Sequence, residues 1–253
     1  MLVIFTDLDG TLLEEDGSLS PEARAAVGAL WARGIPVVPL TSKTRLELER
    51  WIAVLDAGGA GAFENGAGIL REGRTEVLPG ARPTRDLRAA LDDLRRQTRL
   101  PLVTFEEIPD AELTRLTGLP PTEAALARER EFDLPFLAPA EASAALSFAS
   151  LPPGIRLTRG GRFWHLSGLH DKGDALRLLA ARLGGGPTIG LGDAPNDAAF
   201  LRIVDLPVLV PKKAGLDAGL RAALPNAAVA PAPGGAGWSA AVQALAAVEM
   251  RGA

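Results

Sequence analysis

Several short apolar runs in the chain end abruptly in polar residues. The first covers residues 2–6, is rich in β-branched side chains and stops at Asp7. Similar runs cover residues 35–40, before Thr41, and residues 188–191, before Gly192 and Asp193. Continuous apolar runs of this length are typical of strands buried on both faces of a parallel sheet. The pattern therefore predicts an α/β fold, a Rossmann-like parallel-sheet core with polar residues at one sheet edge.

Helix signals separate these strands. Ser20, Pro21 and Glu22 supply an N-cap, a proline at the first helical position and an acid in the first turn, so we expect a helix to about Arg33 that ends at Gly34. We expect four further core helices. The first follows residues 41–44 and ends at about residue 56, the second covers residues 171–183, and the other two begin at residue 195 and at about residue 238. A further strand is expected over residues 207–211.

The order of elements changes in the middle of the chain. After a hairpin over residues 69–78 and a linker over 79–83, we expect a helix from Thr84, a strand over 101–105 and two short helices. A strand over 132–137, a helix from about 139 and strands around Gly160 and Gly161 follow. This order predicts an inserted α+β domain over residues 82–167. The core is then split into residues 1–81 and 168–253.

Composition narrows the class of protein. The chain has 253 residues, of which 47% are hydrophobic and 23% charged, as in ordinary globular proteins. Its net charge of −4 offers no basic field, so we expect no nucleic-acid partner. No apolar run reaches the roughly 18 residues of a membrane span, and Asp7 comes too early for a signal peptide, so we expect no membrane contact and a cytoplasmic location. Oligomeric state has no signature in the sequence.

Residue types that are rare or missing narrow the chemistry. There is no Cys, which excludes a thiolate nucleophile and Cys-ligated zinc, and His165 and His170 are the only histidines. Carboxylates are then the expected nucleophiles. Of the few lysines, we expect Lys212 and Lys213 to be solvated surface charges.

Two acidic clusters follow predicted strands. Asp7 and Asp9 precede Gly10, and Asp193 is followed by Asp197. Taken alone, the first cluster is equally compatible with an ordinary turn. Together the two clusters place Asp7, Asp9 and Asp193 at one sheet edge, where they would repel each other without a cation. A site with only oxygen ligands suits Mg²⁺ better than zinc.

Thr41 and Lys172 belong to the same predicted edge. The Thr41 hydroxyl and nearby backbone N–H groups are suited to holding an anion at a helix start, although Thr41 taken alone favours a simple N-cap. Lys172 follows Asp171 at another helix start, where its charge opposes the helix dipole. That placement indicates a function such as neutralising a phosphoryl group.

Four segments resemble, in order and placement, the four motifs of haloacid dehalogenase superfamily phosphatases. They are residues 7–13, Thr41 with Ser42, Lys172, and residues 192–197. The inserted segment resembles the cap of the Cof-type members. Residues 41–44, 64–66, 130–136 and 160–165 resemble, more narrowly, segments of mannosyl-3-phosphoglycerate phosphatases. Two departures stand out, Leu134 where an acid is common and Ala194-Pro195 after the acid of the fourth motif.

The resemblance implies a mechanism. Asp7 would be the nucleophile and Asp9 the general acid and base, while Thr41 and Lys172 would bind the transferring oxygens. Mg²⁺ would be held by Asp7, the backbone carbonyl of Asp9 and Asp193. The resemblance further implies that Asn196 and Asp197 orient Lys172 or the metal shell.

The resemblance also implies a small phosphorylated sugar-glycerate substrate. Lys43, Arg162 and His165 are suitable donors for its glycerate, although Arg162 also fits a solvated hairpin charge and His165 a buried imidazole. The remaining substrate candidates are Ser42, Glu64, Asn65, Arg130, Glu131 and Asp133; for Arg130, Glu131 and Asp133, local ion pairs are an equal alternative. A glucosyl or broad sugar phosphatase, and a non-catalytic binding protein, stay open as alternatives.

Overall fold

The first third of the chain alternates strands and helices, as expected. A computed structural model describes residues 1–56, 58–160 and 162–249. Ser20 caps the first helix by accepting the N–H of Ala23. The elements are β1 (Val3–Thr6), α1 (Pro21–Trp31), β2 (Val37–Pro39), α2 (Arg45–Leu55), β3 (Ala60–Phe63), β4 (Gly68–Arg71) and β5 (Arg74–Val77). The predicted hairpin over residues 69–78 is confirmed as β4 and β5, which pair antiparallel.

The middle segment, residues 82–167, has its own sheet. Its elements are α3 (Thr84–Thr98), β6 (Val103–Thr104), α4 (Asp110–Thr117), α5 (Pro121–Arg128), β7 (Asp133–Leu137), α6 (Ala142–Phe148), β8 (Arg156–Gly160) and β9 (Phe163–Ser167). The four strands pair antiparallel in the order β6-β7-β9-β8. Strands were expected around Gly160 and Gly161, and Gly161 lies outside the described residues.

The last third returns to parallel pairing. Its elements are α7 (Lys172–Arg182), β10 (Thr188–Gly192), α8 (Ala198–Leu201), β11 (Leu206–Leu209), α9 (Ala218–Ala223), β12 (Ala228–Val229) and α10 (Gly234–Glu249). A parallel five-stranded sheet has the order β12-β11-β10-β1-β2, and β3 adjoins it through a parallel bridge between Leu40 and Ala62. The predicted α/β fold with a parallel core is confirmed.

Apolar residues cover both faces of this sheet. Ile4 of β1 packs on one face with α1 and α10, whereas Val3 and Phe5 pack on the other with α7 and α8. The alternation follows from the pleat of the strand, and it explains why β1 has no polar position before Thr6. Trp238 of α10 is fully buried and donates from Nε1 to Thr6 Oγ1 over 2.9 Å. Trp238 is therefore part of the core on the face covered by α1 and α10.

The sequence pattern missed several boundaries. The helix expected from residue 195 is a 3₁₀ turn, Pro195–Asp197, that leads into α8, and α9 and β12 were not expected. Helix α10 begins at Gly234, before the expected start at Trp238. Glu14 accepts the N–H of Gly235 over 3.1 Å, so a carboxylate far away in sequence occupies the helix start. Among the described residues, no helix has the length and apolar character needed to cross a membrane.

Candidate active site

Strand β1 delivers Asp7 to the carboxyl edge of the parallel sheet. The Asp7 N–H donates to the carbonyl of Leu191 in neighbouring β10 over 2.9 Å, and the Asp7 side chain is buried. The chain then turns at Gly10, which has φ +81°. Because β10 ends beside β1, Asp193 follows at the same edge.

Three buried carboxylates meet at this edge. Asp7, Asp193 and Asp197 each have an oxygen within 4.8 Å of the others. Burial, together with the neighbouring carboxylates, raises the pKa of Asp7 and of Asp193. Thr11 Oγ1 donates to Asp193 Oδ1 over 2.9 Å. A Cβ on Gly10 would lie 2.9 Å from Asp193 Oδ2, so the cluster needs glycine there for space as well as for φ.

Asp9 contributes a different contact from the one expected. Its carboxylate, 46% exposed, lies 3.0 Å from Lys43 Nζ, and the third carboxylate of the cluster is that of Asp197. Asp9 is therefore outside the group of three closely spaced carboxylates, although its charge still raises the pKa of Asp7. The turn at Gly10 ends the strand geometry that would have put Asp7 and Asp9 on one face.

Lys172 is the buried counter-ion of the cluster. Its Nζ donates to Asp7 Oδ1 over 2.6 Å and to Asp197 Oδ1 over 2.7 Å. Burial lowers the pKa of Lys172, but the charges of Asp197 and Asp7 outweigh it and hold that pKa well above the usual value. The other Asp197 oxygen accepts the N–H groups of Asp193 and Ala194 over 2.9 and 3.0 Å.

Among the described residues, the hydrogen bonds of Lys172 go to Asp7 and Asp197 and not to Asn196. Asn196 donates from Nδ2 to Asn65 Oδ1 over 3.0 Å, so of the expected pair only Asp197 holds the lysine. Asn65 has φ +57°, a left-handed conformation that Asn adopts more readily than most residues. The contact links the segments after β3 and β10.

Thr41 is buried at the end of β2 and does not cap a helix. Its Oγ1 accepts the N–H of Lys43 over 3.1 Å. The N-cap of α2 is Thr44, whose side chain accepts the N–H of Glu47 while Glu47 returns a carboxylate to the N–H of Thr44. The Thr44 to Glu47 spacing is a capping-box signature that locates this helix start from sequence.

Lys212 reaches the same cluster, although its position predicted a solvated charge. Its Nζ lies 3.0 Å from Asp193 Oδ2, on a side chain that is 42% exposed. Burial lowers the pKa of Lys212, but Asp193 outweighs this and raises it. The available signal was positional: Lys212 follows β11, which lies next to β10 in the sheet.

The carboxylate cluster has the chemistry of a divalent-cation site. Its donors are all carboxylate oxygens, which Mg²⁺ prefers, and they gather in a space that a side chain at Gly10 would intrude upon. Buried acids at this spacing also require positive charge, which Lys172 and Lys212 supply only in part. The residues therefore fit Mg²⁺.

A cavity of about 820 Å³ opens beside the cluster. Lys172 and Lys212, which contact the carboxylates, lie in its wall, and so do residues of the middle segment. Of the predicted site residues, those in the wall are Ser42, Asn65, Asp133, His165, Lys172 and Asn196; Arg156, Arg159 and Arg202 join them without having been predicted. The arginines have no motif spacing that would have identified them.

Asp133 contacts Arg130 and His165 of the middle segment. Its carboxylate lies 3.0 Å from His165 Nδ1 and accepts from Arg130 Nη1 over 2.8 Å. Burial raises the pKa of Asp133, but His165 and Arg130 outweigh it and lower that pKa. Arg130 also donates to the carbonyl of Ser42 over 3.1 Å. These residues form local ion pairs, and His165 and Asp133 reach the cavity wall as well.

Glu64 joins the core to the middle segment. Its carboxylate is fully buried and accepts the N–H groups of Glu131 and Phe132 over 2.9 and 2.7 Å. Glu131 points its own carboxylate at Arg45 Nε, 2.7 Å away. Neither residue is in the cavity wall, so the structure does not bring either acid to the predicted substrate position.

Arg162 and Lys43 do not lie where substrate donors were expected, and the structure accounts for the departure at Leu134. Arg162 is exposed and bonds the carbonyl of Leu116, outside the cavity wall, because the end of the β8–β9 hairpin lies beside α4. The Lys43 ammonium forms an ion pair with the Asp9 carboxylate, and Lys43 also lies outside the cavity wall. Leu134, the departure from the expected acid, is buried in the apolar core of the middle segment.

Comparisons with known proteins agree with this geometry. A family model described as haloacid dehalogenase-like hydrolase matches residues 4–105. A glucosyl-3-phosphoglycerate/mannosyl-3-phosphoglycerate phosphatase of Methanococcoides burtonii is 34% identical over 233 residues, covering 84% of this chain and 86% of the relative. A protein of Persephonella marina with the same name is 33% identical over 258 residues, covering 94% of each chain.

Solved structures share the fold. A phosphatase of the haloalkanoate superfamily from Bacteroides thetaiotaomicron superposes with a TM-score of 0.72 at 21% identity, covering 97% of this chain and 94% of its own. A sugar phosphatase of subclass IIB superposes with a TM-score of 0.70 at 18% identity, covering 97% of this chain and 99% of its own. At these identities the likeness concerns the fold alone.

Proposed function

Since this chain belongs to the haloacid dehalogenase superfamily and is a phosphatase of that superfamily, we propose that it hydrolyses mannosyl-3-phosphoglycerate to mannosylglycerate and phosphate, with Mg²⁺ as cofactor. The observation that carries the chemistry is the contact of Lys172 with both Asp7 and Asp197 beside Asp193. The observation that favours this substrate is the name of the two relatives that match most of the chain.

Asp7 is the nucleophile in this proposal. Its carboxylate oxygen forms a bond to phosphorus while the bond from phosphorus to the glycerate oxygen breaks, and Asp9 gives a proton to that oxygen. Asp9 then takes a proton from water, the water oxygen attacks phosphorus, and the phosphate leaves with Asp7 restored. The partly exposed carboxylate of Asp9 is accessible to both the leaving group and water.

Lys172 and Thr41 complete the phosphoryl site. The Lys172 ammonium is already beside the attacking oxygen of Asp7, so it stabilises negative charge on the transferring oxygens without moving far. Asp197 keeps Lys172 in place as a positioning residue. The Thr41 hydroxyl and the backbone N–H of Ser42 bind the remaining oxygens, since the N–H of Lys43 already donates to Thr41 Oγ1.

Mg²⁺ would be held by Asp7, Asp193 and the backbone carbonyl of Asp9, with Asp197 beside them. When bound, it neutralises charge on the phosphoryl group and orients it. Burial raises the pKa of Asp7, and the charge of Lys172 opposes that rise. Neutral Asp7 would be a poor nucleophile, so a bound Mg²⁺ would supply further positive charge that favours the ionised carboxylate.

The middle segment acts as a cap domain in this proposal, with boundaries at residues 82 and 167. His165 reaches the cavity from the cap, and Ser42 and Asn65 reach it from the core. They bind the sugar and glycerate groups, with Asp133 and Arg130 holding His165 in place. The expected cytoplasmic location, and the absence of nucleic-acid and membrane partners, stay predictions.

The names of both relatives include glucosyl-3-phosphoglycerate, which makes this the second candidate substrate. The two sugars differ by one hydroxyl orientation, so discrimination depends on single hydrogen bonds in the cap. A panel of mannosyl-3-phosphoglycerate, glucosyl-3-phosphoglycerate and simple sugar phosphates, scored by kcat/KM with Mg²⁺, ranks these activities.

The Asp7→Asn variant tests the mechanism in the same panel. We expect it to lose phosphate release by at least about 10³-fold, because the amide is not a nucleophile. Substantial Mg²⁺-dependent activity in this variant would contradict the assignment of Asp7. Absence of phosphate release by the wild-type chain from every substrate would favour a non-catalytic binding protein instead.

A further inference from the structure

Lys212 is a second cation on the carboxylate cluster, and it differs in kind from Lys172. Lys172 is fully buried and contacts two carboxylates, Asp7 and Asp197. Lys212 contacts only Asp193 in the cluster, and its side chain is 42% exposed. A lysine with this exposure can move its ammonium into water by rotating side-chain bonds, at a small cost in hydration. Lys172 cannot leave without breaking two buried ion pairs.

The backbone of Lys212 is held by hydrogen bonds, whereas its side chain is partly exposed. The N–H of Lys212 donates to the carbonyl of Gly215 over 3.0 Å, and Gly215 returns its N–H over 2.9 Å. Val210, two residues earlier, donates to the carbonyl of Gly192 over 2.9 Å, beside Asp193. The ammonium is therefore held within reach of the cluster by a tight turn.

The two oxygens of Asp193 have different partners. Oδ1 accepts from the buried hydroxyl of Thr11, and Oδ2 is paired with Lys212. A divalent cation held by this cluster would take an Asp193 oxygen, and only the partner of Oδ2 is a charge able to withdraw into water. Two cations at Oδ2 would also repel each other over a distance of a few ångströms.

We propose that Lys212 is a displaceable counter-ion of Asp193, which pairs with Oδ2 in the metal-free protein and competes with Mg²⁺ for it. The inference rests on the metal site of the proposed function. Lys212 then lowers the affinity for Mg²⁺ and stabilises the metal-free cluster, where three buried acids would otherwise have Lys172 alone. It has no part in forming or breaking bonds to phosphorus.

The adjacent lysine provides a matched control. Lys213 is exposed; its backbone N–H donates to Glu15, and its charge acts on Asp16, which is not part of the cluster. Lys212→Met and Lys213→Met remove the same charge one residue apart, so any general electrostatic effect is common to both. Lys212→Gln, a shorter and polar replacement, serves as the second variant if the methionine variant folds poorly.

The experiment titrates Mg²⁺ alone into the metal-free full chain, followed by calorimetry. We expect the dissociation constant of Lys212→Met, or of Lys212→Gln, to fall about three- to tenfold, as for loss of a competing partly exposed ion pair, and that of Lys213→Met to stay within about twofold. We expect thermal unfolding of the metal-free Lys212 variants to shift to lower temperature and Mg²⁺ to restore it.

An unchanged or weaker affinity for Mg²⁺ in the Lys212 variants would overturn the inference, since Lys212 would then be neutral or supportive toward the metal. So would an equal change in Lys213→Met, and so would a wild-type chain that binds no Mg²⁺. Phosphate release by the wild-type chain is measured separately. It therefore decides the proposed function independently of the role of Lys212.

Discussion

The ammonium of Lys43 lies 3.0 Å from the carboxylate of Asp9. Behind it, Glu47 places a carboxylate oxygen 3.7 Å from the same ammonium while its other oxygen caps α2. Lys43 is 8% exposed and Asp9 46% exposed, so a buried cation anchored on a helix start restrains an otherwise free carboxylate. In the proposed mechanism, Lys43 is thereby a positioning residue for the carboxylate of Asp9.

Removing Lys43 is predicted to affect leaving groups unequally. In Lys43→Met, Asp9 loses its restraint, and a sugar-glycerate alkoxide needs protonation more than p-nitrophenolate does. We expect kcat to fall about 10²-fold on mannosyl-3-phosphoglycerate and less than about fivefold on p-nitrophenyl phosphate. Steady-state kinetics on both substrates test this, with Lys213→Met as control. Equal losses on both would assign Lys43 to the phosphoryl site or to folding.

Gly10 and Gly17 form a matched pair for measuring space around Asp193. Both have positive φ, +81° and +79°, but an added Cβ meets Asp193 Oδ2 at 2.9 Å only at Gly10 and meets nothing within 4 Å at Gly17. We expect Gly17→Ala to lose about 1 kcal/mol of stability from strain and to keep full activity. We expect Gly10→Ala to lose the same amount of stability and also most of its Mg²⁺-dependent phosphate release.

Urea unfolding and phosphate-release assays on the two alanine variants separate strain from displacement. If Gly10→Ala were as active as Gly17→Ala, the carboxylate of Asp193 would have room to adjust, and its placement beside Gly10 would not matter for the reaction.

The buried carboxylate of Glu64 makes folding stability depend on pH. Burial raises the pKa of Glu64 from 4.5 to about 7, so between these values the folded chain keeps a proton that the unfolded chain has lost. This contribution to stability is complete below pH 4.5 and is lost as the pH rises through 7. We expect the unfolding free energy of the wild type, relative to Glu64→Gln, to fall by about 1–3 kcal/mol between pH 5 and pH 8.

Comparing the wild type with Glu64→Gln isolates the contribution of Glu64, since the surrounding residues Arg130, Asp133 and His170 are present in both chains. Urea unfolding across the pH range gives the difference directly. A difference that stays constant with pH would mean that Glu64 is ionised throughout, with its charge met fully by the N–H groups of Glu131 and Phe132.

His165 and Arg162 separate residues in the cavity wall from residues outside it. Only His165 lies in the wall, whereas Arg162 is exposed and bonds Leu116. We expect His165→Ala to raise KM for mannosyl-3-phosphoglycerate about tenfold, with a smaller change in kcat, and Arg162→Ala to change neither by more than about twofold. A large effect of Arg162→Ala on KM would mean that the hairpin moves toward the substrate.

Local signals explain what was predictable in the fold. Apolar runs located β1, β2 and β10, and Ser20 located the start of α1, because burial and capping act within a few residues. The start of α10 depends on Glu14, more than two hundred residues earlier, which no local pattern contains. The short β12 has only two residues and is placed by pairing with β11.

The candidate site likewise has one part that could be predicted from the sequence and another part that could not. Asp7, Asp193 and Lys172 come together because each stands at the end of a strand or the start of a helix on one sheet edge, which sequence reveals. The direction of a side chain depends on groups that are distant in sequence. Asp9 pairs with Lys43, and Glu64 accepts backbone N–H groups of the middle segment. These directions depend on which charges lie nearby in space.

The position of β1 between β2 and β10 has a consequence for synthesis. Val3 pairs with Thr188, so one edge of the buried strand β1 has no partner until most of the chain has left the ribosome. During that interval its unpaired N–H and C=O groups are open to pairing with other chains. Expression at low temperature or with chaperones should therefore raise the yield of this protein.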